Sequence, residues 1–335
     1  MKGLSVLSVV LLLLFSFTIA HSAEMLNGAG ASFPYPLYSS WAASYHKATG
    51  IQINYQSIGS GGGIRQITER TVHFGASDLP LKTEELEKSG LLQFPAVIGG
   101  VVPIINVPEL KGKELILDGI VLAGIFLGDI KNWNDPKIKA LNPKINLPDQ
   151  TITVVHRSDG SGTTSIFTHY LNDSCKKWAS QVGYGTSVNW KTGLGAKGNE
   201  GVANYVRRTP YSIGYVEFAY AKQSKLATVK LKNPAGQIVA PDFSSFAEAA
   251  ASSQLDPKNH FYAWMTNAPG KKAWPITGAT YILLAREKTD ANKSVIKFFD
   301  WAFKNGDETA KKLDYVPLPK SVKEKIRAYW KNHIK

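Results

Sequence analysis

Three stretches of this 335-residue chain run from a strand pattern through a glycine- and hydroxyl-rich turn directly into a helical pattern. They are GAGASFPYP (residues 28–36), SIGSGGGIRQ (57–66) and RSDGSGTTSIF (157–167). A helix start leaves up to four backbone N–H groups without partners, and the aligned peptide dipoles add about half a positive charge there. Glycine lets a bound group approach the backbone, and Ser or Thr adds a donor at the same spot. One such segment is an ordinary helix cap. Three in one chain, two of them dense in glycine, point to anion binding.

The pattern between these segments sets the fold class. IQINYQSIG alternates apolar and polar residues, as a half-buried strand does, and a helix is expected in GGIRQITERT. PYPLYSSWAASYHKATG has prolines at a helix start and Gly50 at its stop. HFGASDLPL reads as a short strand that turns at Pro80. The alternation recurs through PAVIGGVVPIINV, the helix DGIVLAGIFLG, TITVVHRS, TSIFTHYL, SIGYVEFAYAKQ and the strand in AWPITGATYILLAREK. It predicts a layered α/β protein with buried sheets. The length favours two lobes at about 100 to 200 residues per domain, and the lack of a linker implies that the chain crosses between them more than once. NKSVIKFFDWAFKNG and SVKEKIRAYWKN are amphipathic helices, with Phe298, Phe299, Trp301 and Phe303 assigned to the core.

The N-terminus reads as a secretory signal peptide over residues 1–23: Lys2, an apolar run from about Val6 to Phe17, then small residues, with cleavage after Ala20, Ser22 or Ala23. The run is too short for a membrane anchor, which needs roughly 20 apolar residues. The lone Cys175 has no partner for an intrachain disulfide and no base beside it, so it is assigned no role. The net charge of +13 comes from scattered lysines, including those of the last helix. No basic block with interleaved aromatics appears, and export argues against nucleic acid; most of the charge is read as solvated surface.

In the third segment, the planar fork of Arg157 can hold a tetrahedral oxyanion by two hydrogen bonds, and Asp159 can clamp that fork. Catalytic loops fit poorly. No glycine run ends in the lysine of a nucleotide phosphate loop, GSGGGI lacks the dinucleotide spacing, and Ser161 lies in D-G-S-G-T rather than G-x-S-x-G. The seven histidines are dispersed, without metal-ligand spacing. His156 either lines a site or is satisfied polar structure. Asp78, in FGASDLP, either caps a turn or places a carboxylate in the same cleft.

The motifs GAGASFPYP, YQSIGSGGGIRQI, FGASDLPL, QFPAVIGGVVPIINVP, RSDGSGTT, GLGAKGNEGVA, SIGYVEFAYAKQ, AWPIT and FFDWAF, in this order, resemble the periplasmic phosphate-binding proteins of bacterial high-affinity phosphate importers. The likeness covers essentially the whole chain after the leader. It implies a two-lobed α/β binding protein of type II, the Venus flytrap kind, with a mixed β-sheet in each lobe. Lobe 1 would comprise residues 24–98 and 276–335, and lobe 2 residues 99–275. It further implies capture of inorganic phosphate in the periplasm and delivery to a membrane ABC permease, by a monomer, with no catalysis, cofactor or metal. The phosphate contacts carried over are Ser32, the Phe33 backbone, Ser60, Asp78, Arg157, Ser161, Gly162 and Thr163, with Asp159 holding Arg157. The family often has threonine where this chain has Ser32; the hydroxyl is retained. Phosphate near neutral pH carries a proton and sulfate carries none, so Asp78 can accept from phosphate and meets only lone pairs on sulfate. The competing classes are an exported phosphatase, for which the chain shows no metal cluster or based nucleophile, and a surface adhesin, which would leave the three segments unexplained.

Overall fold

Sixteen consecutive residues, Leu91–Asn106, form one strand, and fifteen of them are buried. So apolar a run has no polar face to turn to water, and it sits where sheets are covered on both sides. The computed structural model describes residues 25–334. The expected signal peptide, residues 1–23, lies outside the described residues.

The principal elements in chain order are β1 (Met25–Gly30), α1 (Tyr35–Thr49), β2 (Gln52–Ser57), α2 (Ser60–Thr68), β3 (Phe74–Ser77), β4 (Leu91–Asn106), α3 (Gly119–Leu127), β5 (Thr153–Arg157), α4 (Gly162–Ser174), β6 (Leu194–Ala196), α5 (Gly198–Arg208), β7 (Ser212–Glu217), α6 (Phe218–Gln223), β8 (Ile276–Ala285), α7 (Thr289–Asn305) and α8 (Lys320–His333). The main sheet runs β2-β1-β3-β8-β4-β7-β5-β6. β1 pairs with β2 and β3 in parallel, whereas β8 is antiparallel to both β3 and β4. Beyond β4, β7 is antiparallel to it and β5 and β6 follow in parallel. Each half is thus a mixed sheet with helices between its parallel strands, and the architecture is the expected two-lobed α/β type.

β4 belongs to both halves. Leu91 to Gly100 pair with β8, and Val101 to Asn106 pair with β7. The ladder between β4 and β8 shifts register between Thr280 and Tyr281, opposite Pro95 and Val97. Pro95 has no N–H to donate, and a bulge is the usual way for a sheet interior to hold a proline.

All three strand–turn–helix segments form as expected. β1 leads into α1, β2 into α2, and β5 into α4. Gly50 ends α1 in the left-handed conformation, at φ 77°. Of the core aromatics expected in α7, Phe298, Phe299 and Phe303 are buried. Trp301 departs from expectation and is only partly buried, because it packs edge-on against Tyr45 at the margin of the core. The charge of the last helix is likewise not all solvated: Lys323 is buried, and its ammonium reaches both oxygens of Asp307 at 2.6 Å and the Phe303 carbonyl at 2.9 Å.

Candidate functional site: a buried cleft of hydroxyls, one arginine and one aspartate

The three segments meet. Ser60, the first residue of α2, lies against Gly162, the first residue of α4: the Gly162 N–H donates to Ser60 Oγ at 3.0 Å. The same hydroxyl oxygen accepts the Asp78 N–H at 3.1 Å, which joins the turn after β3. One position on, the Gly61 N–H donates to the Gly160 carbonyl at 2.9 Å. This close approach requires Gly59. Its backbone has φ 85° and ψ 155°, a region open essentially only to glycine, and an added Cβ would stand 2.4 Å from Asp159 Oδ2. Ser32, between β1 and α1, reaches α4 through Asn199, whose side-chain amide donates to Ser32 Oγ at 2.9 Å and Thr163 Oγ1 at 3.2 Å.

Every residue expected in the site is therefore at one place. Ser32, Phe33, Ser60, Asp78, Arg157, Ser161, Gly162 and Thr163 are all buried. The N-terminal ends of α1, α2, α4 and α5 point their partial positive charge into the same region.

Arg157 ends β5 and is 3% exposed. Its Nε donates to Asp159 Oδ1 at 2.7 Å and its Nη2 to Asp159 Oδ2 at 2.5 Å, which fixes the guanidinium by one edge. Burial works against ionised Asp159, yet the hydrogen bonds and charge of Arg157 outweigh it and hold the carboxyl below its ordinary value. The remaining nitrogen, Nη1, is buried without a protein partner.

Asp78 is 2% exposed, so the turn-cap reading is too small for it. Its Oδ1 accepts from Thr280 Oγ1 at 2.6 Å, and its Oδ2 is buried without a partner. Burial pushes its pKa up from 3.8 to about 7, against the lowering influence of Thr280, Arg157 and Ser60. A buried, unpaired donor on a cation and a buried, unpaired acceptor on a carboxylate thus share one cleft. Each such group costs about 1 to 3 kcal/mol while it stays unpaired, and more when charged. A group that accepts from Arg157 and donates to Asp78 satisfies both, and a protonated oxyanion is such a group.

The hydroxyls are turned to donate. Ser60 Oγ accepts two backbone N–H groups, and Ser161 Oγ caps α4 by accepting the Thr164 N–H at 3.0 Å. Each keeps its one proton for another acceptor. Asp78 lies beside the Ser60 hydroxyl, whose hydrogen bonding opposes the rise of its pKa. His156 is turned away: it stacks on Trp190 at a centroid distance of 4.8 Å, its Nδ1 lies 3.0 Å from the Arg157 carbonyl, and burial lowers its pKa. Among the described residues no group of three His, Cys, Asp or Glu can hold a metal ion.

Four residues outside the expected set complete the site. Asn199 and Thr280 touch it directly. Tyr315 donates to the Phe33 carbonyl at 2.7 Å and lies 2.8 Å from Glu217 Oε2. Glu217 is fully buried, and burial first of all raises its pKa well above the ordinary value. The Tyr315 hydroxyl has one proton for two acceptors, so a protonated Glu217 that donates to it satisfies the group. For Asn199 the motif GLGAKGNEGVA was the available sign and for Glu217 the motif SIGYVEFAYAKQ; none of the motifs that carry the resemblance held Thr280 or Tyr315.

A buried oxyanion cleft between two mixed-sheet α/β halves joined by shared strands defines the class of two-lobed substrate-binding proteins, and residues 18–305 match the model of the PBP superfamily domain. The chain is 54% identical over 331 residues to the phosphate-binding protein PstS of Pasteurella multocida, covering 98% of this chain and 96% of that one. It is also 54% identical over 315 residues to the protein of the same name from Haemophilus influenzae, covering 93% and 94%. The chain belongs to the PstS family of phosphate-binding proteins. Its fold is shared with the solved structure of a high-affinity periplasmic phosphate-binding protein, PfluDING, with a TM-score of 0.72, 24% identity, and coverage of 90% of this chain and 93% of the other.

Proposed function

We propose that this protein captures inorganic phosphate between its two lobes in the periplasm and hands it to a membrane ABC permease. The observation that carries this reading is the pair of orphaned groups, Arg157 Nη1 and Asp78 Oδ2, buried together among hydroxyl donors. Phosphate supplies an acceptor for the first and, through its proton, a donor for the second.

In this reading Ser32, the Phe33 N–H, Ser60, Arg157, Ser161 and Thr163 donate to the phosphate oxygens, Gly162 lines the contact with its N–H on Ser60 Oγ, Asp78 accepts a hydrogen bond from the phosphate proton, and Asp159 holds Arg157 in place. Residues 24–98 and 276–335 form one lobe and 99–275 the other; the division at 98 lies two positions before β4 changes partner from β8 to β7. The chain is exported with residues 1–23 as a cleaved leader and works as a monomer. No step breaks a bond in the ligand, in keeping with a family of phosphate-binding proteins.

The test is calorimetric titration of the protein lacking residues 1–23 with phosphate, arsenate and sulfate. One equivalent of phosphate and of arsenate should bind, and sulfate should not. Absence of stoichiometric phosphate binding, or sulfate binding of equal strength, overturns the reading.

A further inference from the structure

The Ser32 and Thr163 hydroxyls share a neighbour that holds them the right way round. A hydroxyl has one proton and can turn it toward any acceptor in reach. Ser32 Oγ receives two N–H groups from one residue, the Asn199 backbone N–H at 3.3 Å and Nδ2 at 2.9 Å, and Thr163 Oγ1 receives Nδ2 at 3.2 Å. Both oxygens act as acceptors on that side, so both protons are directed away from it.

We propose that Asn199 is a positioning residue for the phosphate site, which sets the Ser32 and Thr163 hydroxyls as donors toward the bound oxyanion. The inference rests on the phosphate-binding reading above. The amide cannot turn over and present its oxygen instead, because Oδ1 is held by the Glu217 N–H at 3.0 Å. Reversal would set two N–H groups against each other and leave the hydroxyls to donate to Oδ1 rather than to the ligand. Asn199 is fully buried in the first turn of α5. The preceding Gly198 N–H donates to Asp159 Oδ1 at 3.1 Å, so the turn that orients the hydroxyls also steadies the clamp on Arg157. One short segment therefore governs the direction of three of the cleft's donors.

Two consequences separate this role from a structural one. The effect of Asn199 must pass through the two hydroxyls, and it must be blind to the proton on the ligand, because Ser32 and Thr163 donate to phosphate, arsenate and sulfate alike.

The test is a mutant cycle read by titration calorimetry with phosphate and arsenate. Asn199→Ala should weaken both ligands about 10- to 100-fold, the size expected for misdirecting one or two hydrogen bonds to a charged group. Sulfate titrated in parallel should still be rejected, as by the parent, and sulfate binding by Asn199→Ala overturns the proposal. In a background of Ser32→Ala with Thr163→Val, which lacks both hydroxyls, Asn199→Ala should cost less than about threefold more. A full loss retained in that background overturns the proposal, as does parental affinity in the single variant. Should Asn199→Ala fail to fold by circular dichroism, the isosteric Asn199→Asp, which keeps the acceptor for the Glu217 N–H, takes its place. Its carboxylate accepts both hydroxyl protons, so affinity should fall further than 100-fold at neutral pH, and a smaller loss overturns the proposal. If the parent itself binds no phosphate, the functional reading fails, whereas a binding parent with an unaffected Asn199 variant sinks only this inference.

Discussion

Thr280 Oγ1 donates to Asp78 Oδ1 at 2.6 Å across 202 positions of chain, and this bond leaves Asp78 Oδ2 alone to meet the ligand. Thr280 stands beside the register shift in β8, next to the strand that carries Pro95. A bulge re-aims a side chain, and here the threonine is aimed at the one carboxylate of the cleft that the arginine does not clamp.

From that geometry follows the effect of Asp78→Asn. The carboxylate accepts the proton of phosphate and faces only lone pairs on sulfate, while the amide can donate to either. An unpaired buried charge costs about 3 to 5 kcal/mol, which is roughly two to four decades of discrimination. At pH 9, where Asp78 is ionised and phosphate still carries a proton, the variant should bind sulfate with a selectivity gap narrowed by about two decades, measured by competitive calorimetry. A parental rejection of sulfate in Asp78→Asn would contradict this account.

The same residue sets a pH dependence in the ligand-free protein. Asp78 is raised from 3.8 to about 7, so between these values the folded state keeps a proton that the unfolded chain releases. The stability contribution is fully present below about pH 4 and is lost as pH rises through about 7, on the order of a few kcal/mol. Urea unfolding at pH 4.5 and pH 8 should show this fall, and Asp78→Asn should reduce it. A residual slope of the same sign is expected in the variant from Glu217, whose burial also raises it.

Gly59→Ala should hurt binding more than folding. Its positive φ costs a side chain about 1 to 3 kcal/mol, and the new Cβ would press on Asp159 Oδ2 at 2.4 Å and the Gly160 carbonyl at 2.6 Å. Displacing Asp159 unclamps Arg157, so phosphate affinity should drop at least tenfold beyond what a thermal melt of the ligand-free variant explains.

Arg157→Lys should lose most of the affinity while keeping the charge. An ammonium cannot make the two-point contact with Asp159 and still present a third donor inward, as the guanidinium does with Nε, Nη2 and Nη1. A drop of about 100-fold or more in phosphate affinity is expected by calorimetry.

Closure should depend on the ligand. The bonds between Gly61 and Gly160, Gly162 and Ser60, and Asn199 and Ser32 bridge the two proposed lobes, and they enclose two buried atoms without partners, Arg157 Nη1 and Asp78 Oδ2. Phosphate relieves that cost and shifts the population toward the closed form. Small-angle scattering should show compaction when phosphate is added; an unchanged radius of gyration would sink this prediction.

How much of this was legible in the sequence follows from distance along the chain. Ser32, Ser60, Arg157, Ser161 and Thr163 stand in short strand–turn–helix segments, where local residue types determine both the turn and the donors it presents. Asp159 was legible as the clamp because it lies two residues from Arg157. Asp78 was visible as an oddity, and the resemblance gave it a role, while its 2% exposure makes that role physical. Thr280 and Tyr315 were not legible, since their contacts exist only after β8 and the C-terminal segment return to the first half of the sheet, and Glu217 stood in a quoted motif without its role being visible. Periodicity assigned Trp301 to the core, where it is only partly buried, and composition gave no sign that Lys323 is an exception to a mostly solvated charge. A helix face records which side turns inward but not where the core ends or which acid lies across from a lysine.

β3 and β4 never touch each other, for β8 lies between them. The first half of the sheet therefore has two open edges until residues 276–285 have been delivered. A chain that emerges from its N-terminus cannot finish this half early, however quickly β1, β2 and β3 assemble, and long-range pairing of that kind is slow. Completion of this half thus waits on a strand supplied from the C-terminal part of the chain, so its last pairing closes the sheet rather than its first.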